Sequence, residues 1–441
     1  MTRLCHPFSY GDGPVEHCFW NETVPDPGLA SLSEDINAEV AVIGAGFTGL
    51  SAALHLAEAG VDVVVVDEKQ PGWGASGRNG GFCCLGGSML GAKEMIKRHG
   101  EGAAKDYALV ERDAVDLVDA TIDQLGLEVD RHSNGETILA HRKRDYAGFA
   151  TYAENLAHLH GQKPQVIPQA ELAEHGMGGD FHGAMTTPIG FALNPRKYVI
   201  GLMDGALAAG ARIFGNTPVT GMETVNGTHT LTTPKGRIAA KKVILATNGY
   251  SSETLPNWMA GRYLPAQSSV IVTRPLSSEE REAQGWTTHQ MCYDTRNLLH
   301  YFRLMPNGQF LFGMRGGLAT SAGVHHKIRA KIRGDFERMF PAWAHVETPW
   351  YWSGFVCLSP DLTPFAGPVP GTDGLFAGFA YHGNGVAMGS YCGALLANRI
   401  LGRATLPSSA VIETPPRRML GGRFRRLAMW PAYLGFALAD L

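Results

Sequence analysis

Hydrophobic spacing along the chain changes sharply after residue 38. Residues 40–43 are a short apolar run ending in glycine, the pattern of a parallel strand buried on both faces. Leu50, Ala53, Leu54 and Ala57 then recur at helical spacing, Gly60 suits the C-terminal cap, and 61–66 is a second buried run. Together they predict a βαβ unit. Residues 1–37 read as an irregular leader, rich in polar residues, proline and glycine.

Further elements follow from local signals. Asn194 and Pro195 stand where an N-cap and a first helical residue belong, predicting a helix to about 209 that stops at Gly210 before a strand at 211–214. Asn226-Gly227 predicts a hairpin leading into "KKVILATNGY", with another buried strand at 243–245. A long helix is expected at 103–125 and a hairpin in "HYFRLMPNGQFLFGMR", turning at Asn307-Gly308. The βαβ-like pieces alternate with mainly antiparallel ones. This predicts a two-domain α/β (α+β) fold, in which a Rossmann-like domain of 38–102, 181–261 and 351–405 is interrupted by an antiparallel domain of 103–180 and 262–350. A tail follows at 406–441.

Composition narrows the function classes. With 441 residues, 44% hydrophobic and 18% charged, the chain can bury more than one core, and no run of 18 apolar residues predicts a membrane span. A net charge of −3 without a long basic stripe before the last 30 residues argues against nucleic acid. The start lacks the apolar core of a signal peptide, so a cytoplasmic address is expected. Seven scattered cysteines without a C-x-x-C pair predict neither a disulfide framework nor a zinc site, and no metal is expected. The tail carries Arg417, Arg418, Arg423, Arg425 and Arg426 ahead of "LAMWPAYLGFALA". A helix packed on the protein or a partner is expected there, with peripheral membrane contact as the alternative.

The chemistry concentrates in glycine-rich stretches. Gly44, Gly46 and Gly49 form a G-x-G-x-x-G between strand and helix, with Phe47 and Thr48 at the helix start. Glycines there permit a tight turn and close backbone approach, and the helix N-terminus offers free amides to a pyrophosphate. Asp67, 23 residues after Gly44, ends the second strand where a carboxylate can accept from ribose hydroxyls, with Glu68 beside it. Five glycines fall in the ten positions 72–81, and that stretch supplies Gly74, Ala75, Ser76, Arg78, Asn79, Gly80 and Gly81 as further cofactor contacts. A second glycine-rich loop so close to the first points to a ligand larger than NAD. Val219 and the "LATNG" turn, with Thr247, Asn248 and Gly249, add to the set.

Five ordered motifs, "VIGAGFTGLSAALHLAEAG", "GWGASGRNGG", "ILATNGY", "WSGFVCLSPDLTPFAG" and "GFAYHGNGVAMG", resemble those of the D-amino-acid oxidase superfamily of FAD-dependent oxidoreductases. The likeness spans roughly residues 38–405 and is greatest to the gamma-glutamylputrescine oxidoreductase branch. It implies FAD as cofactor, bound noncovalently. Relatives that tether flavin through cysteine place it seven residues before the aspartate of the fourth motif, Asp361, where this chain has Gly354. Those that use histidine place it in the second motif, where this chain has Arg78. Gly383, Asn384, Gly385 and Val386 precede a helix expected at 386–400, whose first amides would face the flavin's pyrimidine end.

The resemblance also implies oxidation of a primary or secondary amine by hydride transfer to flavin N5, giving an imine and then an aldehyde, with dioxygen as acceptor. The alternatives are a D-amino-acid or N-methyl-amino-acid dehydrogenase that passes electrons to a quinone or carrier protein, and a flavin-binding subunit without turnover. Catalytic or substrate-binding candidates are His382, Tyr301, Arg303 and Arg315. The two arginines lie on the two arms of one expected hairpin and are candidates to pair with a substrate carboxylate. Alternation alone does not say which of them points inward.

Overall fold

The computed structural model describes residues 2–440. Its first sheet has the core order Phe365–Pro368, Leu375–Phe379, Arg237–Leu245, Ile36–Ile43, Val63–Val66, Arg212–Phe214. Every pairing from Leu375–Phe379 to Arg212–Phe214 is parallel. The hairpin Gly221–Val225 and Thr228–Thr232, turning at Asn226 (φ +49°) and Gly227 (φ +76°), extends Arg237–Leu245 in antiparallel fashion.

Alternation assigns the faces of this sheet. Val40, Val42, Val63 and Val65 pack with the helices Phe47–Glu58, Pro195–Ala208 and Ala387–Ile400, whereas Ala41, Ile43, Val64 and Val66 belong to the opposite core. The predicted elements recur within about two residues, as Val63–Val66, Glu101–Leu125, Pro195–Ala208 and Arg212–Phe214. Asn194 caps its helix by accepting from the Arg196 and Lys197 amides.

The second sheet runs Trp350–Leu358, Leu264–Val272, Phe310–Arg315, His300–Leu304, Met291–Asp294, Glu136–Leu139, Gly183–Thr187, Gln165–Pro168. It is antiparallel except where Met291–Asp294 meets Glu136–Leu139. One face carries an aromatic core of Phe302, Phe310, Phe312, Phe336, Phe340 and Trp343. The other turns toward the first sheet.

Two expected boundaries shift. Gly183–Thr187 pairs with Glu136–Leu139, and Trp350–Leu358 pairs along nine residues with Leu264–Val272, so both strands lie in the second sheet although 181–261 and 351–405 were expected in the Rossmann-like domain. Nothing local in a strand says which sheet it will join. In the second case the fourth motif passes from one sheet to the other within a few residues, the next strand being Phe365–Pro368 of the first sheet.

The tail folds back on the protein. Arg425 makes a two-pronged ion pair with Glu253, Asp440 accepts from the Asn297 and Leu298 amides, and Arg426 donates to the Leu4 carbonyl. The side chain of Arg423 lies outside the described part. Among the described residues no helix is long and apolar enough to cross a membrane, and no three metal-ligating side chains converge.

Candidate cofactor and substrate site

The carboxyl ends of the parallel strands meet at a cavity of about 190 Å³, walled by the 44–48 turn, Asp67, Glu68, Val219, Thr247 and Asn248. Backbone builds this lobe. A Cβ on Gly49 would stand 1.9 Å from the Gly44 carbonyl oxygen, and one on Gly44 would stand 2.7 Å from that of Ala246, so only glycines allow the helix to start this close to two strands. Gly44 itself is at φ +110°. The Ser76 hydroxyl accepts from the Phe47 amide at 2.9 Å, which ties the second glycine-rich loop to the helix N-terminus.

Asp67 accepts from the Ala45 and Lys69 amides at 2.7 and 2.9 Å, and burial pushes its carboxyl up to about 6. Glu68 pairs with Arg3. Arg3 and Tyr10 of the leader line the lobe, and no spacing in the sequence announced them.

The second glycine-rich loop is held by its own polar side chains. Arg78 donates to the Trp73 carbonyl at 2.8 Å and the Ser353 carbonyl at 3.0 Å, its guanidinium 4.2 Å above the Trp73 ring. Asn79 donates to the Ala75 and Ser76 carbonyls and accepts from the Gly81 amide. Both spend hydrogen bonds shaping the loop, and Asn79 borders the nucleotide lobe together with Gly74, Ala75 and Ser76.

A larger cavity of about 550 Å³ continues from the first, sharing Ala75, Asn79, Phe355, Val356, His382 and Gly383 with it. Side chains build this one. Register places Gly354 opposite Ser268, Ser268 opposite Arg315, Gly313 opposite Tyr301, Tyr301 opposite Tyr293, Tyr293 opposite Ile138, and Glu136 opposite Thr187, a single face of the second sheet. Tyr301 reaches the Ser268 hydroxyl at 2.9 Å, over a glycine whose Cβ would fall 2.1 Å from its ring. Gly80 and Asn384 also border this lobe.

The two arginines of the hairpin separate here. Arg315 lines the cavity and donates to the His382 carbonyl at 3.0 Å, and among the described residues it has no carboxylate partner. Burial lowers its pKa. Arg303, fully buried, borders neither lobe. It donates to the Leu193 carbonyl and to His132 Nε2, and burial pulls it down to about 9.

His382 sits at the junction of the lobes with both ring nitrogens engaged. Nδ1 donates to the Gly87 carbonyl at 2.8 Å and Nε2 accepts from the Ser359 amide at 3.1 Å, which makes it a neutral imidazole, held down to about 4 chiefly by burial. Its φ of +50°, beside Ala380 at +67° and Gly383 at +114°, marks backbone strain where the lobes join. The helix that follows begins at Ala387, with Gly385 on the nucleotide lobe and Val386 at its N-cap. Gly49, Gly81, Gly249, Val386 and Asp361 line neither lobe. Asp361 instead accepts from the backbone and guanidinium of Arg417 in the tail.

Sequence reasoning missed Ser268, Tyr293, Glu136 and Glu111, which all border the larger lobe. In "GETILA" the available signal for Glu136 was a lone charge at the start of a β-branched and apolar run. Glu111 lies on the helix Glu101–Leu125 and carries none.

The two joined lobes fit a dinucleotide carrying a ring system. Amides and glycines would receive its phosphates, a buried carboxylate its ribose, and the junction a planar group. The arrangement suits a nucleotide cofactor beside a second, side-chain-lined cavity. The family model described as FAD dependent oxidoreductase matches residues 39–399, and the chain belongs to that family, DAO. The chain is 30% identical over 392 residues to the probable oxidoreductase OrdL of Haemophilus influenzae, covering 88% of each chain. It is 29% identical over 419 residues to the gamma-glutamylputrescine oxidoreductase of Escherichia coli, covering 93% of this chain and 94% of the relative. Glycine oxidase from Geobacillus kaustophilus superposes with a TM-score of 0.70 at 19% identity, over 87% of this chain and 100% of that one, a likeness of fold. FAD is thus the cofactor of this protein.

Proposed function

We propose that the protein oxidises a C–N bond of a primary or secondary amine that carries a remote carboxylate, with noncovalent FAD and with dioxygen as acceptor. The observation that carries this reading is Arg315, a guanidinium in the chamber without a carboxylate of its own. A guanidinium held in a cavity without a counter-charge is costly, and a substrate carboxylate would supply the bidentate pair. The gamma-glutamyl amine type named for one relative has such a group.

The glycine turns, Asp67 and the Ser76-tied helix start would hold FAD, which when bound supplies the two-electron acceptor for the amine carbon. The chain's own residues bind and orient. Arg315 fixes the carboxylate, the Tyr301 hydroxyl is held by Ser268, and His382, with no free ring nitrogen, acts as a neutral brace rather than a base. Burial raises the pKa of Tyr301, so it stays protonated at neutral pH. Such a chamber desolvates and positions a neutral amine. Neither tethering position supports a covalent flavin, since Gly354 has no side chain and Arg78 is committed to loop carbonyls.

The test is anaerobic titration of the holoenzyme with a panel of amines. Acidic amines should bleach the flavin, dioxygen should restore its colour in stopped flow, and acid precipitation should release intact FAD. A panel that leaves the flavin oxidised, or that favours simple alkylamines, overturns the reading.

A further inference from the structure

The end of the chamber away from His382 is acidic. Glu136, on the strand Glu136–Leu139, and Glu111, on the helix Glu101–Leu125, both line it together with Tyr152, Tyr293 and His160. Neither carboxylate has a lysine or arginine within ion-pair distance among the described residues. Nearby cations are engaged elsewhere: Lys105 pairs with Glu101 at 3.0 Å, and Arg112 donates to the His160 carbonyl and faces Asp116.

His160 is 5% exposed, with Nε2 3.9 Å from Glu111, and its Nδ1 is buried without a partner. Burial and the carboxylates' mutual repulsion push Glu111 up to about 8, and burial pushes Glu136 up to about 7. Two desolvated carboxylates beside phenol rings and a half-satisfied imidazole are an incomplete site, and a cation completes it.

We propose that Glu111 and Glu136 form a cation subsite that receives a second, non-reacting ammonium group of the substrate. The inference rests on the reading of the chamber as an amine-oxidation site. The substrate then has three charged or reacting points: an amine at the cofactor junction, a carboxylate at Arg315 and an ammonium at the two glutamates. Amides that join a diamine to the side-chain carboxyl of an acidic amino acid have this charge pattern, whereas α-linked aminoacyl amides lack the carboxylate and simple dicarboxylic acyl amides lack the ammonium.

The experiment compares the gamma-glutamyl and glutaryl amides of 1,4-diaminobutane, which differ only in the α-ammonium, with wild-type holoenzyme and the Glu111→Gln/Glu136→Gln variant. The wild type should favour the gamma-glutamyl amide in kcat/KM by about tenfold or more, the scale of one charge-assisted hydrogen bond. The variant should lose that preference, its ratio falling to near one. A wild-type ratio near one, or a preference that survives in the variant, overturns the subsite.

Butyltrimethylammonium, which has no oxidisable N–H, is titrated in parallel by flavin difference absorbance. It should bind wild type about tenfold more tightly than the variant through ionic and cation–π attraction, and equal Kd values overturn the subsite. If neither amide reduces the flavin but the quaternary ammonium still discriminates, the amine-oxidation reading falls and the cation subsite stands. Flavin content and circular dichroism of the variant establish that it folds.

Discussion

The two lobes of the site are built from different materials. At the nucleotide end, glycines and main-chain amides set the shape, and a Cβ added at Gly49 would meet the Gly44 carbonyl oxygen at 1.9 Å. At the chamber end, side chains projecting from alternate positions of paired strands set it, from Gly354 across Tyr301 to Glu136. A backbone-built lobe tolerates almost no change and binds what the whole family binds. A side-chain-built lobe can be rewritten one residue at a time, which suits it to carry substrate choice in the proposed reading.

The largest effect should come from breaking the backbone lobe. Gly49→Val should abolish FAD retention during purification, read as the ratio of flavin to protein absorbance, because the clash is with main chain that has nowhere to move. A yellow, stoichiometric variant would show that the close approach is dispensable.

Asp67→Ala should weaken FAD by about 1.5–3 kcal/mol, or roughly 10- to 150-fold in Kd, the loss of charge-assisted hydrogen bonds to ribose. Equilibrium titration of the apoprotein measures it. Unchanged affinity would remove Asp67 from the cofactor.

In the chamber the hairpin supplies its own control. Arg315→Met should raise KM for an acidic amine about tenfold or more while leaving flavin reduction at saturation nearly unchanged, as expected for uniform binding of a distant group. Arg303→Met should instead lower Tm, since it strands the Leu193 carbonyl and His132, with little change in KM. If Arg303→Met is the one that raises KM, the two roles are reversed.

The smallest effect concerns pH. Glu111 is held up to about 8 in the folded protein against an ordinary 4.5, so between those values the unfolded chain releases a proton that the folded one keeps. Stability therefore falls as pH rises through that window. Glu111→Gln should flatten the decline, gaining about 2–4 °C in Tm over wild type at pH 8.5 relative to pH 5 in the substrate-free holoenzyme. Parallel Tm curves would mean that the carboxyl ionises freely.

This division also explains what could be read in advance. The βαβ unit, the capped helix at Pro195 and the Asn226-Gly227 turn were legible because each is announced by residues adjacent in sequence. So were the glycines of the 44–49 turn. The chamber was not, because Ser268, Tyr301, Glu136 and Glu111 come from four separate elements and meet only through strand register and helix docking. Alternation paired Tyr301 with Arg303 on one face, as the sheet has them, but could not show that Arg303 lies beyond the chamber wall and Arg315 within it. Arg78 and Asn79 show a second role that local sequence does not separate from ligand binding: they line the cavities and also hydrogen-bond the loop itself.

The contact between leader and tail ties two distant parts of the chain to the nucleotide lobe. Arg3 and Tyr10 wall the nucleotide lobe, and Arg426 secures that leader through the Leu4 carbonyl while Arg425 grips Glu253 near the same rim. Segments 422 residues apart in sequence thus close one rim, so a change that loosens the tail would also loosen the leader's wall of the nucleotide lobe.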